Sequence, residues 1–282
     1  MAGEWGVPHA AEAATAPAEQ LPGWATLVRA PNPGPMTLEG TNTWVLRARG
    51  ETEAVVVDPG PARDEHLQAV AAHGPFAAML MTHAHPDHVE GLHRFRELTG
   101  APLLAAAGVA AAGVAAAGVA AAGVAAAGLA ITVIETPGHT ADSVCFLVDA
   151  DRQRAVLTGD TILGRGTTVV AWPDGNLRDY LVSLERLRAL GQIPVLPGHG
   201  PALADCAAAA AYYLAHRRAR LDQVRAAVAA GATTPAAIVE KVYSEVDRAL
   251  WPAAEWSVRA QLAYLDGGQR ESATGSQPLD DP

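Results

Sequence analysis

Residues 79–88 read MLMTHAHPDH, an apolar run that ends in four side chains able to bind a cation: His83, His85, Asp87 and His88. The apolar part has the composition of a strand, placed at 76–81, and the histidines fall in the loop after it. Three further apolar runs end the same way. VIETPGHT (133–140) closes on His139, AVLTGD (155–160) on Asp160, and PVLPGHG (194–200) on His199. Open α/β folds place ligands along the ends of their strands, so these four runs can deliver all seven side chains to one cleft. Five of the ten histidines in the chain occupy these positions. Imidazole and carboxylate donors without thiolate suit a borderline divalent cation such as zinc. H-x-H sets two imidazoles on one ion, and the D-H that follows can turn toward a second. Seven donors exceed one tetrahedral site and suit two metals with one carboxylate bridging. A histidine after Pro-Gly, taken alone, is as readily a turn residue as a ligand; beside H-x-H-x-D-H that reading loses its weight.

Outward from this stretch, strands are expected at 25–29, 43–48, 54–57, 131–134, 144–148, 155–157 and 193–196. Helices are expected at 63–72, 89–98 and 177–190. Strands and helices alternate, which makes the fold class α/β, built in layers. From 204 the pattern becomes helical through 229, breaks at Gly231, restarts at Thr234-Pro235 and ends with a helix at 253–265. The domain reading is a leader at 1–22, a main domain at 23–203, a helical module at 204–266 and a disordered tail at 267–282. Within the main domain, 105–129 is an AAAGV repeat closed by AAAGL. Its five-residue period advances about 140° on a helix and flips faces on a strand, so no amphipathic face forms. A weak helix or a surface loop is expected there, with no function assigned.

The composition narrows the function classes. Half of the 282 residues are hydrophobic, enough to build a core, and no run of about 18 strongly apolar residues suggests a membrane span. The first 20 residues contain three glutamates and no Lys or Arg, unlike a secretory signal. With Cys145 and Cys206 as the only cysteines, a cytoplasmic protein with structural thiols is expected. A net charge of -10 argues against a long nonspecific nucleic-acid groove; no DNA and no membrane partner is expected. Arg217, Arg218, Arg220 and Arg225 are read as a solvated helix face with an Arg218–Asp222 pair, and RNA contact as the lesser alternative. His9, His66, His73, His93 and His216 are read as surface or packing residues.

The H-x-H-x-D-H motif with the later His139, Asp160 and His199 resembles the metallo-β-lactamase superfamily over about residues 24–201. A closer resemblance is to the lactamase-beta-like protein 2 group. NPGPMTLEGTNTWVL (32–46), TPGHTADSV (136–144), GDTILGRGTTVV (159–170) and PGHGP (197–201) carry it. The resemblance implies an αββα sandwich with a winged-helix-like C-terminal module, to which HRRARLDQV (216–224) and WPAAEWSVRAQLAYL (251–265) are similar. It implies two Zn2+ per chain, one on His83, His85 and His139, the other on Asp87, His88 and His199, with Asp160 bridging. Asp87 would be catalytic, holding a metal and orienting the metal-bound hydroxide. Asn42 would line the pocket and contact substrate, with a plain turn role as the alternative, and Thr168 with Thr167 would bind substrate or phosphate, with the start of a strand as the alternative. First-class zinc β-lactamases carry Cys at the position of Asp160, which disfavours lactam hydrolysis, and His85 favours hydrolysis over the diiron branch.

Two cations sharing a water lower its pKa from about 15.7 toward 7, which makes a nucleophile available at neutral pH. The resemblance points to single-stranded RNA as substrate. The first alternative is a glyoxalase-II-like hydrolase of thioesters or related acyl compounds. The second is a noncatalytic binding protein stabilised by metal.

Overall fold

The computed structural model describes residues 21–105, 117–118 and 124–274. Most of the expected leader and repeat, and residues 275–282 of the expected tail, lie outside the described residues. The first sheet contains β1 (Ala25–Arg29), β2 (Asn42–Leu46), β3 (Ala54–Val57) and β4 (Phe76–Leu80) in that order. β1, β2 and β3 run antiparallel, and β3 pairs with β4 in parallel. That crossover carries helix α1 (Asp64–Ala71). After β4 come a single turn, α2 (Pro86–Val89), and helix α3 (Leu92–Thr99).

Short strands β5 (Leu104–Ala105) and β6 (Ala117–Gly118) pair in parallel. The second sheet has the order β11-β10-β9-β8-β7. It comprises β7 (Val124–Ala126), β8 (Leu129–Glu135), β9 (Val144–Ala150), β10 (Gln153–Gly159) and β11 (Val195–Pro197). The described parts of the AAAGV segment therefore include strand, where a weak helix or loop was expected. Pairing with β8 supplies the backbone hydrogen bonds that this sequence does not secure through any amphipathic pattern.

The two sheets face each other over a core that includes Trp44, Leu46, Val57, Leu80, Phe146 and Leu157. Residue alternation builds three layers from single strands. In β3, Val55 and Val57 enter this core while Ala54 and Val56 face the cluster formed with Leu67, Val70 and Phe95 of α1 and α3. In β9, Val144, Phe146 and Val148 point inward, and Cys145 points outward to α4 (Leu177–Arg188) and α5 (Cys206–Ala229). Such strands are buried on both faces, which is why they read as continuous apolar runs. The architecture is αββα.

Helix α4 starts at Asn176, whose side chain accepts hydrogen bonds from the amides of Arg178 and Asp179. Helix α6 (Pro235–Val242) starts at Thr234, capping Ala237 N, with Pro235 in the first turn. After a 3-10 turn at Arg248–Leu250, α7 (Trp251–Thr274) runs beyond the module end expected at 266 and through part of the expected disordered tail. The C-terminal half of α5 packs with α6 and α7 over a separate small core of Val224, Ile238, Val239 and Val258. Its N-terminal half belongs to the hydrolase layer, where Ala209, Tyr213 and Leu214 pack with Val156 and Leu184.

Candidate metal centre

The ends of β4, β8, β10 and β11 converge at one edge of the sandwich. Parallel pairing of β10 with β11 brings Gly159-Asp160 beside the Pro197-Gly198-His199 turn, and Gly198 N donates to Gly159 O at 2.8 Å. A side chain at Gly198 would meet Asp160 Oδ1 at 2.6 Å, so the close approach depends on glycine. Gly138, at φ 140°, lies so near Tyr180 that a Cβ would stand 2.3 Å from its Cα. This turn presents His139.

The seven side chains form two groups of closely spaced donor atoms, His83, His85, His139 and Asp160 in one and Asp87, His88 and His199 in the other. His85 Nδ1 lies 3.0 Å from both His83 Nε2 and His139 Nε2. In the second group, His88 Nε2 is 3.3 Å from His199 Nε2, and Asp87 Oδ2 is 3.2 Å from His199 Nε2. Asp160 reaches both groups, its Oδ1 3.6 Å from His88 Nε2 and its Oδ2 3.4 Å from His199 Nε2 and 3.8 Å from His139 Nε2. Donors bound to one tetrahedral ion at about 2.0–2.1 Å are spaced about 3.3 Å apart, and the observed spacings match that requirement. Asp160 Oδ1 is buried with no hydrogen-bond partner, which suits a cation ligand. The residues present fit a pair of divalent ions.

Further contacts aim the rings. Asp58 accepts from Thr82 N at 2.8 Å and from Thr82 Oγ1 at 2.6 Å, and its Oδ2 lies 2.9 Å from His88 Nδ1. A proton on that Nδ1 leaves Nε2 facing the cluster as a lone pair. His139 Nδ1 likewise faces the Val169 carbonyl at 2.6 Å. Thr41 Oγ1 donates to Asp87 Oδ2 at 2.8 Å. Asp58, Thr41 and Thr82 escaped the sequence analysis. The available signal was an acidic residue at the end of an apolar strand, the same pattern that marks Asp160.

Electrostatics divides the groups. Burial lowers the pKa of His83 well below the ordinary range, helped by the charge of His88, and pushes His139 down to about 4. Both imidazoles are thus held neutral, the form that binds metal. Burial works against charge on His199 too, but Asp160 and Asp87 overcome it and raise His199 to about 11. Burial similarly opposes the ionised form of Asp87, yet the His199 hydrogen bond and the charge of His88 hold it at about 2. The acidic side of the centre is built to carry positive charge.

A cavity of about 360 Å³ opens beside His139 and Asp160, between the hydrolase layer and the C-terminal helices. Thr168 and Thr167 line it, and Thr168 Oγ1 lies 3.3 Å from His139 Nδ1. Asn42, expected to contact substrate, is fully buried. Its amide donates to the carbonyls of Pro197 at 3.0 Å and Gly200 at 2.8 Å, which spends both N–H groups on holding the His199 turn. The arginine run also departs from the solvated face. Arg217 is only 3% exposed, and Arg220 is half-buried over the Tyr243 ring. Arg218 pairs with Glu185 at 3.5 Å, while Asp222 pairs with Arg225 at 2.7 Å. His66 is a packing residue, its Nε2 held by Thr43 Oγ1 and Pro59 O.

The sequence profile of the metallo-beta-lactamase superfamily matches residues 36–199, more than half of the chain and all seven donors. The chain belongs to the metallo-β-lactamase superfamily. A second profile, the beta-lactamase associated winged helix domain, matches residues 234–268, so the C-terminal helices are that domain. Among similar members of the superfamily, an atrochrysone carboxyl ACP thioesterase from Aspergillus fumigatus is 32% identical over 76% of this chain and 72% of its own length. A beta-lactamase-like protein 2 homolog from Caenorhabditis elegans is 30% identical over 74% of this chain and 72% of its own length. The fold is shared with a beta-lactamase domain protein from Burkholderia ambifaria, with TM-score 0.75 and 24% identity, covering 89% of this chain and 91% of that one. This metallo-β-lactamase-fold protein is a metal-dependent hydrolase. No helix among the described residues is long and apolar enough to cross a membrane.

Proposed function

We propose that the protein hydrolyses acyl thioesters with two zinc ions. His83, His85 and His139 hold one, Asp87, His88 and His199 hold the other, and Asp160 serves both. Bound there, two zinc ions would lower the pKa of a water toward 7 and polarise the bond to be broken. The chain's own residues do the rest. Thr41 fixes Asp87 through Oδ2, and no protein donor among the described residues reaches Oδ1, which is free to orient the attacking water. The water oxygen forms the new C–O bond as the C–S bond breaks, one water proton passes by way of Asp87 to the departing sulfur, which leaves as a thiol, and the other stays with the acid product. Met36, Leu38, Val246 and Leu250 supply an apolar wall that seats the acyl chain and keeps bulk water from it.

The observation that carries this reading is the cavity. It is a partly open, mainly apolar pocket beside His139 and Asp160, a lining that suits an acyl chain. The thioesterase named among the relatives supports it. Cleavage of single-stranded RNA is the second reading, favoured by Arg165, Arg217 and Arg220 on the cavity wall. Both cysteines are buried and unpaired, which supports a cytoplasmic location.

The zinc-loaded protein and its Asp87→Ala variant are to be assayed with an acyl N-acetylcysteamine thioester and with end-labelled single-stranded RNA, and their metal content measured. Thioester turnover with two zinc ions per chain is expected, falling by more than about a hundredfold in the variant. Cleavage of RNA alone would replace the thioester reading by the second. One zinc per chain with neither substrate consumed would make the protein a metal-stabilised binding module.

A further inference from the structure

Arg217 is buried but lines the cavity, and no carboxylate pairs with it among the described residues. Arginine stays charged in proteins, so it cannot relieve its burial by losing a proton. Its protein contacts include the Thr168 carbonyl, which accepts from Nη2, and Tyr180, whose hydroxyl it reaches and whose ring centroid lies 5.3 Å from Cζ. Its Nε is buried with no acceptor. A buried cation with an unused donor and no counter-charge is costly, and an incoming anion relieves that cost. One helical turn on, Arg220 also lines the cavity. It donates to Gln223 and to the Val242 carbonyl, and it too lacks a carboxylate partner among the described residues. Asp160 lines the same cavity, but its oxygens face His88, His139 and His199.

The position of this cationic wall matters. Thr168 alone separates it from the metal centre, its hydroxyl against His139 Nδ1 and its carbonyl under Arg217. Val246, Leu250, Ala253 and Ala254 from the winged-helix domain complete the cavity with aliphatic surface. His216 adds one more polar feature, a half-buried ring whose Nδ1 has no partner. The cavity therefore offers a reacting end, an apolar flank and a cationic seat a short distance from the reacting end.

We infer that Arg217 and Arg220 form a seat for a carboxylate on the acyl half of the substrate, so that the enzyme selects acyl thioesters whose acyl chain carries a second, ionised carboxyl group. This rests on the thioester reading above. The short separation places the anion on the acyl side. The phosphate of a carrier's pantetheine arm lies at the far end of the leaving group, too distant for a seat one residue from His139.

The test compares adipoyl and hexanoyl thioesters, each as the N-acetylcysteamine and as the coenzyme A derivative, with the zinc-loaded full chain. The adipoyl substrate is expected to show a KM about tenfold lower than the hexanoyl one in the N-acetylcysteamine pair, which contains no phosphate. Arg217→Gln should erase most of that preference, and Arg220→Gln should weaken it. Equal KM values for the two acyl groups in the wild type, or a preference retained in both variants, would overturn the inference while leaving the thioester reading intact. A preference that follows the coenzyme A phosphates instead would also overturn it. If no thioester is turned over, the reaction reading fails, and the seat is judged by calorimetry with hexanoate against hexanamide. Tighter binding of hexanoate, lost in Arg217→Gln, supports an anion seat of another hydrolase; equal binding, or binding unchanged by the substitution, ends the proposal. Should Arg217→Gln not fold, the wild-type comparison and Arg220→Gln still decide.

Discussion

At the scale of single residues, the centre depends on groups that never face the substrate. Asp58 is 2% exposed and ties His88 to the Thr82 backbone. Replacing it with Asn keeps the shape but removes the charge that orients the His88 ring. Asp58→Asn should lower divalent-metal affinity by about 10- to 100-fold, read by competitive chelator titration, with the fold retained. His216 makes a pH prediction. Burial, with Arg217 and Arg220 nearby, pushes its pKa down to about 3. The unfolded chain, with an ordinary pKa of about 6.5, therefore binds a proton that the folded chain refuses in the window from about pH 6.5 down to about 3. Stability contributed by the neutral ring is full above that window and is lost as pH falls through it. The thermal midpoint of His216→Gln should fall less than that of the wild type between pH 7 and pH 4; parallel curves would show that His216 is not linked to acid unfolding.

At the scale of elements, caps and strand ends position the donors. Helix α4 covers the second sheet, and Ser183 and Tyr180 on it bond to the carbonyls of Pro137 and Thr161 beside the His139 and Asp160 loops. Its start rests on Asn176, which satisfies two otherwise open amides. Asn176→Ala is expected to cost about 1 kcal/mol, seen as a lower denaturant midpoint with an unchanged slope. Elements of this kind were legible because their signals are local. The four apolar runs, the Thr234-Pro235 helix start and the His-rich loop all show in short windows. The strand at 124–126, Val-Ala-Ala, was not legible, since a single valine in an alanine-rich repeat gives no alternating pattern and the partner β8 supplies what holds it.

At the scale of the molecule, α5 belongs to two bodies at once. Its first half seals the hydrolase layer, where Tyr213 Oη accepts from Leu163 N at 2.9 Å, and its second half carries the winged-helix core. A chain ending at 203 would expose Val156, Leu184 and Val195, each worth about 1.5–3 kcal/mol of burial. Such a fragment is expected to lose cooperative thermal unfolding and aggregate, and a sharp transition in it would show that the hydrolase layer stands alone. The cavity exists only because this shared helix holds the winged-helix domain against the metal centre.

The amino-acid order was enough to reveal the layered α/β class and the seven side chains that the fold gathers at one edge, because strand periodicity and metal-ligand chemistry depend on residue type and near spacing. It was silent on Asp58, on the duty of Asn42 as a brace for the His199 turn, and on the burial of Arg217. Those roles depend on which distant segments meet. Asn42 and Gly200 meet where an isolated bridge between Thr41 and His199 joins the two sheets, and Arg217 reaches Thr168 through the packing of α5. A charged run on a helix looks solvated until the fold lays another domain over it, and only then does its missing counter-ion become visible.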